Sequence, residues 1–248
     1  MPAACLVSDF DGTIAPIVAD PRCAAADPRA LRALHRLATR LEAVAVVSGR
    51  PAAFLARALE LDRHRSPLRA YGLYGAEEAL ADGSVRALEG LASWQEAVAS
   101  AVEELRSGLA APVEVEDKRL AAGVHWRKAP EAAEAALAAA GAAAARHGLE
   151  LRPGRMSVEL LPAGAPDKGG VVRRLSAGCS VACCLGDDLG DLPAFDALAQ
   201  LGRRRGVLAV RVAVGSDELP AELAASADLL LDGPPAVADF LVELAART

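Results

Sequence analysis

Aromatic residues make up only 3% of this 248-residue chain, with two Trp, two Tyr and four Phe. Ligand recognition therefore has few rings to stack against and must rest chiefly on polar side chains. A basic excess is also missing: 27 Lys and Arg face 33 Asp and Glu, for a net charge of −6. The densest basic run is Arg203-Arg204-Arg205, far from the footprint a nucleic-acid partner requires. The five cysteines are Cys5, Cys23, Cys179, Cys183 and Cys184, an odd number with two adjacent and no C-x-x-C pair. A disulfide framework or a zinc site has little support, and Cys5, Cys183 and Cys184 read as small buried hydrophobes. No stretch approaches the 18 or more strongly apolar residues of a spanning helix. The mean hydropathy of +0.24 is inflated by alanine, roughly a quarter of the chain against far lower ordinary usage. Met1 to Val7, before Asp9, is too short for a secretory signal. The expectation is a soluble, cytoplasmic protein with no nucleic-acid or membrane partner, a monomer being favoured.

What is present is apolar material for a sizeable core: 53% of residues are hydrophobic, and the length suits one large domain or two modest ones. Strands are expected at Cys5–Ser8, Ala43–Val47, Leu68–Leu73, Ser180–Leu185, Val207–Val214 and Leu229–Leu231. Helical spacing intervenes over 31–41, 51–60 and 169–175, with a closing helix over 236–246. Continuously apolar strands alternating with helices point to an α/β, Rossmann-like parallel sheet covered on both faces. The middle breaks this rhythm. Helices over 94–109 and 130–147 flank segments of period two at Val113–Lys118, Val124–Arg127 and Arg155–Leu160. These suggest antiparallel strands with one polar face. An α+β domain over 85–163 is thus expected as an insertion into a core formed by 1–84 and 164–248.

Three polar clusters each follow an apolar strand: Asp9-Phe10-Asp11-Gly12-Thr13, Ser48-Gly49-Arg50 and Gly186-Asp187-Asp188-Leu189-Gly190-Asp191. Open parallel sheets bind ligands outside the carboxyl ends of their strands, so these clusters are expected to converge. Taken singly, each has a bland explanation: Asp-x-Asp-Gly is a common turn and Asp-Asp a common helix cap. Taken together, five clustered carboxylates would repel unless a cation neutralised them. Hard oxygen ligands, with little else available, point to Mg²⁺.

These motifs, with Lys168, resemble the four motifs of haloacid dehalogenase-like phosphatases, in the expected order. The resemblance implies that Asp9 is the nucleophile and Asp11 the general acid and base. Thr13 and Ser48 would donate to phosphate oxygens beside Gly49 and Arg50, and Lys168 would balance the phospho-enzyme charge. Mg²⁺ would sit between the Asp9 carboxylate, the Asp11 backbone carbonyl and Asp187, with Asp188 and Asp191 behind. Further stretches extend the likeness along nearly the whole chain: Asp9–Pro16, Val46–Pro51, Tyr71–Glu77 (Tyr-Gly-Leu-Tyr-Gly-Ala-Glu), Val115–Lys118 with His125–Arg127, Pro153–Leu160 and Gly186–Phe195. They resemble trehalose-6-phosphate phosphatases, in which the inserted domain is a cap that reads the sugar. Trp126 stands where Tyr is common, and Leu161 where Arg often follows. The implied activity is Mg²⁺-dependent hydrolysis of trehalose 6-phosphate. Another sugar phosphate, or a non-catalytic sugar-phosphate sensor on the same fold, is the alternative.

Alternation along the insertion puts Glu116 and Lys118, His125 and Arg127, and Arg155 and Glu159 on polar faces opposite Val115, Val124, Trp126, Val158 and Leu160. The polar face is either a half-solvated sheet or a surface that hydrogen-bonds sugar hydroxyls. Trp126 is expected in the cap core rather than as a sugar platform.

Overall fold

The structure is a computed structural model, which describes every residue except 1, 2, 19, 65, 81, 155, 205, 217 and 218. Two compact units emerge, one of residues 1–87 with 166–248 and the other of residues 88–165. The first unit begins with β1 (Ala4–Ser8), α1 (Pro28–Ala38), β2 (Ala43–Val47), α2 (Ala52–Ala58), β3 (Arg69–Gly72), β4 (Glu77–Ala79) and β5 (Val85–Ala87). The second holds α3 (Leu91–Gly108), β6 (Glu114–Asp117), β7 (Ala122–His125), α4 (Ala133–His147), β8 (Leu149–Gly154) and β9 (Ser157–Pro162). The chain returns to the first unit through α5 (Lys168–Leu175), β10 (Val181–Gly186), α6 (Leu192–Gly202), β11 (Leu208–Gly215), α7 (Ala221–Ser226), β12 (Leu229–Asp232) and α8 (Gly233–Arg247).

Among the described residues, the larger unit carries an eight-stranded sheet in the order β12-β11-β10-β1-β2-β3-β4-β5. The pairings from β12 to β3 are parallel, and the last two are antiparallel. Alternate residues of β1 and β2 enter different cores. Leu6, Val44 and Val46 pack with α1 and α8 residues such as Leu34 and Leu241. Cys5, Val7, Ala45 and Val47 pack with Val172 and Phe195 on the other face. Both faces are covered, which is why these strands read as unbroken apolar runs. The Asp27 carboxylate accepts from the Arg29 amide at 2.7 Å ahead of Pro28, fixing where α1 starts.

The smaller unit has an antiparallel sheet in the order β6-β7-β9-β8. One face, with Val124, Trp126, Val158 and Leu160, packs against Val98, Leu105, Ala136 and Ala140 of α3 and α4. Trp126 is buried in that core, as its place in the alternation predicts. Three details differ from the sequence reading. Val85–Ala87, assigned there to the insertion, pairs with β4 in the larger sheet. The strand expected over 124–127 ends at His125, and Arg127 lies in the following turn. Strands β4 and β8 and helices α6 and α7 carried no expectation. Among the described residues, no helix is long and apolar enough to cross a membrane.

Candidate active site

The ladder between β1 and β10 runs one residue past β1, where the Asp9 amide donates to the Leu185 carbonyl at 3.0 Å. Fully buried Phe10 then pins the loop into the core, edge-on to Phe54 with ring centroids 5.6 Å apart. Its carbonyl accepts from the amides of both Ile14 and Ala15, so the chain reverses tightly through Gly12. Glycine is required at position 12 twice over. Its φ is +74°, and a Cβ there would lie 2.0 Å from the Asp187 carboxylate. The motif glycine is thus the space into which Asp187 fits.

Lys168 opens α5, whose start is fixed by the Asp167 carboxylate accepting from the Gly170 amide at 2.7 Å. A Cβ on Gly169 would lie 2.3 Å from the Pro193 carbonyl, so α5 seats directly on the beginning of α6. That seating carries the Lys168 ammonium to 2.7 Å from Asp9 and 2.7 Å from Asp191. Asp191 is fully buried. Its second oxygen accepts from the amides of Asp187 and Asp188 at 3.0 and 3.3 Å. The Asp188 carboxylate accepts in turn from the Gly190 amide at 2.8 Å, completing a capping box. Asp188 and Asp191 therefore shape the turn that presents Asp187.

Asp9, Asp187 and Asp191 can each offer an oxygen such that all three lie within 4.8 Å of one another. Burial and mutual repulsion raise their proton affinity. Asp9 is pushed up to about 7, chiefly by burial, with Lys168 opposing and Asp188 and Asp187 reinforcing. Asp187 rises to about 7 by burial and then by the charges of Asp188 and Asp191. Asp191 rises to about 8, again mainly by burial. Burial works against the Lys168 charge too, but Asp191, Asp9 and Asp188 outweigh it and hold the ammonium well above the ordinary lysine range. Three carboxylates against one ammonium leave two uncompensated negative charges. That balance, with an all-oxygen donor set, fits a divalent cation.

Asp11 projects elsewhere. Its two oxygens accept from Arg50 Nε at 2.8 Å and Nη2 at 2.6 Å, a bidentate fork. Arg50 is itself fixed by the Pro21 carbonyl at 2.6 Å and by the Phe54 ring 4.6 Å away. The Thr13 hydroxyl, expected to donate to phosphate, here donates to Asp187 at 2.9 Å. Ser48 is buried, and its hydroxyl oxygen accepts from the Arg50 amide at 3.2 Å. The larger unit thus gathers Asp9, Asp11, Thr13, Ser48, Gly49, Arg50, Lys168, Asp187, Asp188 and Asp191 at the carboxyl ends of β1, β2 and β10 and at the start of α5. The Arg50–Asp11 fork and the Thr13–Asp187 bond join residues 39 and 174 positions apart, and no local pattern announces them.

In the smaller unit, cross-strand register sets Glu116 opposite Gly123, and Gly123 opposite Glu159. Lys118 reaches Glu159 at 2.7 Å and Glu116 at 3.6 Å, and His125 reaches Glu116 at 3.2 Å. A Cβ on Gly123 would lie 2.9 Å from His125 Nε2, so the glycine leaves the room that the His125 ring occupies beside Glu116 and Lys118. Arg127 does not join them on the strand. With Glu116 and His125 it lines an open cleft along β6. Arg155 lies outside the described residues.

Residues 7–228 match the family model for trehalose-phosphatase. The trehalose-phosphate phosphatase of Mycolicibacterium paratuberculosis is 35% identical over 247 residues, covering 96% of this chain and 61% of that protein. The Mycobacterium marinum trehalose-phosphate phosphatase is 32% identical, covering 100% of this chain and 63% of that protein. The chain thus spans about three fifths of the length of these relatives. An Aspergillus fumigatus trehalose-6-phosphate phosphatase structure superposes with a TM-score of 0.72 at 26% identity, covering 100% of this chain and 94% of that one. A haloacid dehalogenase-like hydrolase from Bacteroides thetaiotaomicron shares the fold, with a TM-score of 0.63 at 16% identity over 98% and 99% of the two chains.

Proposed function

The chain belongs to the trehalose-phosphatase family, and from that membership we propose that it is a Mg²⁺-dependent phosphatase converting trehalose 6-phosphate to trehalose and phosphate. The observation that carries this reading is the buried Asp9–Lys168–Asp191 arrangement beside Asp187, gathered at the carboxyl ends of β1 and β10 and the starts of α5 and α6. A carboxylate held on a buried ammonium, beside a cation-demanding acid cluster, suits phosphoryl transfer, where catalysis is mostly positioning and charge stabilisation.

In this mechanism an Asp9 oxygen attacks phosphorus as the bond from phosphorus to the sugar oxygen breaks. Asp11 gives its proton to that oxygen, and trehalose leaves behind an aspartyl-phosphate. Asp11 then takes a proton from water, whose oxygen attacks phosphorus and releases phosphate, restoring Asp9. Release of Asp11 from the Arg50 fork is part of the cycle, since both its oxygens are engaged there. The Ser48 hydroxyl and the Gly49 amide hold the phosphate oxygens, and Lys168 offsets their charge. Thr13 orients Asp187. Asp9, Asp187 and the Asp11 carbonyl would hold Mg²⁺, which when bound would supply the remaining positive charge that the phosphoryl group requires.

Sugar recognition falls to the polar sheet face of the smaller unit. Glu116, Lys118, His125 and Glu159 offer charged donors and acceptors in one cluster, a set suited to rejecting sugars that leave a member unpaired. Arg127 and Arg155 are secondary candidates. A cytoplasmic site of action is supported by five cysteines that all remain free thiols.

The test is phosphate release from a panel of sugar phosphates, with Mg²⁺ or with chelator. Trehalose 6-phosphate is the best substrate, and chelator abolishes turnover. Equal activity on glucose 6-phosphate would sink the substrate assignment, and binding without turnover would favour the sensor.

A second prediction concerns stability. Asp9 and Asp187 titrate near 7 in the folded protein, against an ordinary 3.8. Between those values the native state binds protons that the unfolded chain has lost, so stability falls as pH rises through the window. Chelated protein therefore melts lower at pH 8 than at pH 5.5. Added Mg²⁺ raises the melting temperature more at pH 8, by the equivalent of about 3 kcal/mol at a hundredfold excess over Kd. Thermal melts at the two pH values check this, and an equal metal shift at both would refute it.

A further inference from the structure

The segment Tyr71–Glu77 contains both tyrosines of the chain, and the mechanism above gives it no task. Its backbone is unusual: Leu73 and Tyr74 are consecutive non-glycine residues in the left-handed region, at φ +48° and +58°. Such residues are strained and persist only where their surroundings impose the conformation. The conformation turns two successive amides onto the loop after β2. Leu73 N–H donates to the Arg50 carbonyl at 2.9 Å and Tyr74 N–H to the Ser48 carbonyl at 2.9 Å. The Ser48 amide donates back to the Tyr71 carbonyl at 3.0 Å, and the Ala52 amide to the Glu77 carboxylate at 2.8 Å.

These bonds clamp Ser48, Arg50 and Ala52 but leave the Gly49 peptide between them. There the Tyr74 side chain takes over. A Cβ on Gly49 would lie 2.8 Å from the Tyr74 hydroxyl oxygen and 2.9 Å from its Cζ. No positive φ demands glycine at position 49; the missing side chain is what lets the phenol lie against the backbone. The same segment braces α5, because a Cβ on Gly75 would lie 2.6 Å from Val171, three residues beyond Lys168.

We propose that Tyr74 is a positioning residue for the phosphate-holding loop, its phenol fixing the Gly49 peptide so that the Ser48 hydroxyl and the Gly49 amide face the phosphate. The inference rests on the phosphatase reading above, and it predicts that Tyr74 and Gly49 act through one shared contact. Tyr74→Ala removes the ring, and Gly49→Ala displaces it.

The experiment is a double-mutant cycle on the full chain, read as kcat/KM on trehalose 6-phosphate and as Kd for inorganic phosphate by calorimetry with Mg²⁺ present. Each single variant loses about tenfold in both, the scale of a small misplacement of a binding group. The melting temperature falls by no more than about 4 °C, a modest loss of stability for a chain of this size. The double variant is no worse than either single, because contact partners are not additive. Tyr74→Phe, which keeps the ring, recovers most of the loss. Multiplied losses in the double variant, or unchanged phosphate affinity in Tyr74→Ala, would overturn the proposal. If Tyr74→Ala melts substantially lower, Tyr74→Leu takes its place in the cycle. A wild type that binds phosphate but turns over no sugar phosphate refutes the phosphatase reading alone, and the affinity cycle then decides the role of Tyr74. A wild type that binds no phosphate refutes both.

Discussion

Asp9→Asn lowers phosphate release by at least about 10³-fold, the scale on which loss of a covalent nucleophile acts, while the protein stays folded. Two features make these outcomes separable. The asparagine amide is neutral, with its nitrogen lone pair delocalised into the carbonyl, so it is too weak a nucleophile to form a phospho-enzyme and the effect falls on kcat. The fold survives because asparagine nearly matches aspartate in volume, and Lys168 keeps its second partner, Asp191, at 2.7 Å. The substitution also removes one of the carboxylates that repel within the cluster, Asp187 and Asp191 remaining. Metal-free Asp9→Asn therefore melts no lower than wild type at pH 8, and its melting temperature rises less on adding Mg²⁺. Steady-state phosphate release and paired melts with chelator or Mg²⁺ read both effects. Activity above about 1% of wild type would show that Asp9 is not the nucleophile.

The parts of the protein legible in sequence are those where one physical cause dominates. Leu6, Val44 and Val46 enter one core while Cys5, Val7 and Ala45 enter the other, so the parallel strands announce themselves as unbroken apolar runs. The clusters after β1, β2 and β10 could be located because strand ends of a parallel sheet share one edge. Trp126 was legible because the sheet of the smaller unit buries a single face, which makes alternation informative. The remainder depends on partners distant in sequence. The β4–β5 hairpin is three residues a side and half charged, an extension of a sheet already formed. Strand β8 contains Pro153, which a central strand would not tolerate but which the sheet edge accepts. The Asp11–Arg50 fork, the engagement of Thr13 by Asp187 and the ring of Tyr74 against Gly49 are tertiary choices among compatible rotamers. Sequence could nominate the residues there, but not their partners.

Lys168→Met is the substitution with the largest expected cost in stability. Methionine fills nearly the same volume and belongs in a buried helix start, so packing is largely retained and the charge is what changes. Lys168 is only 4% exposed, and its removal leaves Asp9 and Asp191 without the ammonium that each touches at 2.7 Å. Breaking a buried ion pair from one side costs about 3–5 kcal/mol, because the orphaned charge cannot regain water. The loss depends on pH in a definite direction. Both acids already bind protons well above 3.8 in the folded protein, near 7 and 8. Without Lys168, which opposes the rise in each, they bind protons more strongly still. At pH 5.5 the orphaned carboxyls are protonated and the penalty shrinks. At pH 8 the folded state must either carry the bare charges or take up protons that the unfolded chain does not hold. Urea unfolding in chelator at the two pH values measures the difference, with the full penalty near pH 8 and a smaller one at pH 5.5. Asp191→Asn in the Lys168→Met background then recovers part of the stability, since it deletes one of the orphaned charges. An equal loss at both pH values, or no recovery in the double variant, would mean that Lys168 stabilises the site through packing rather than charge.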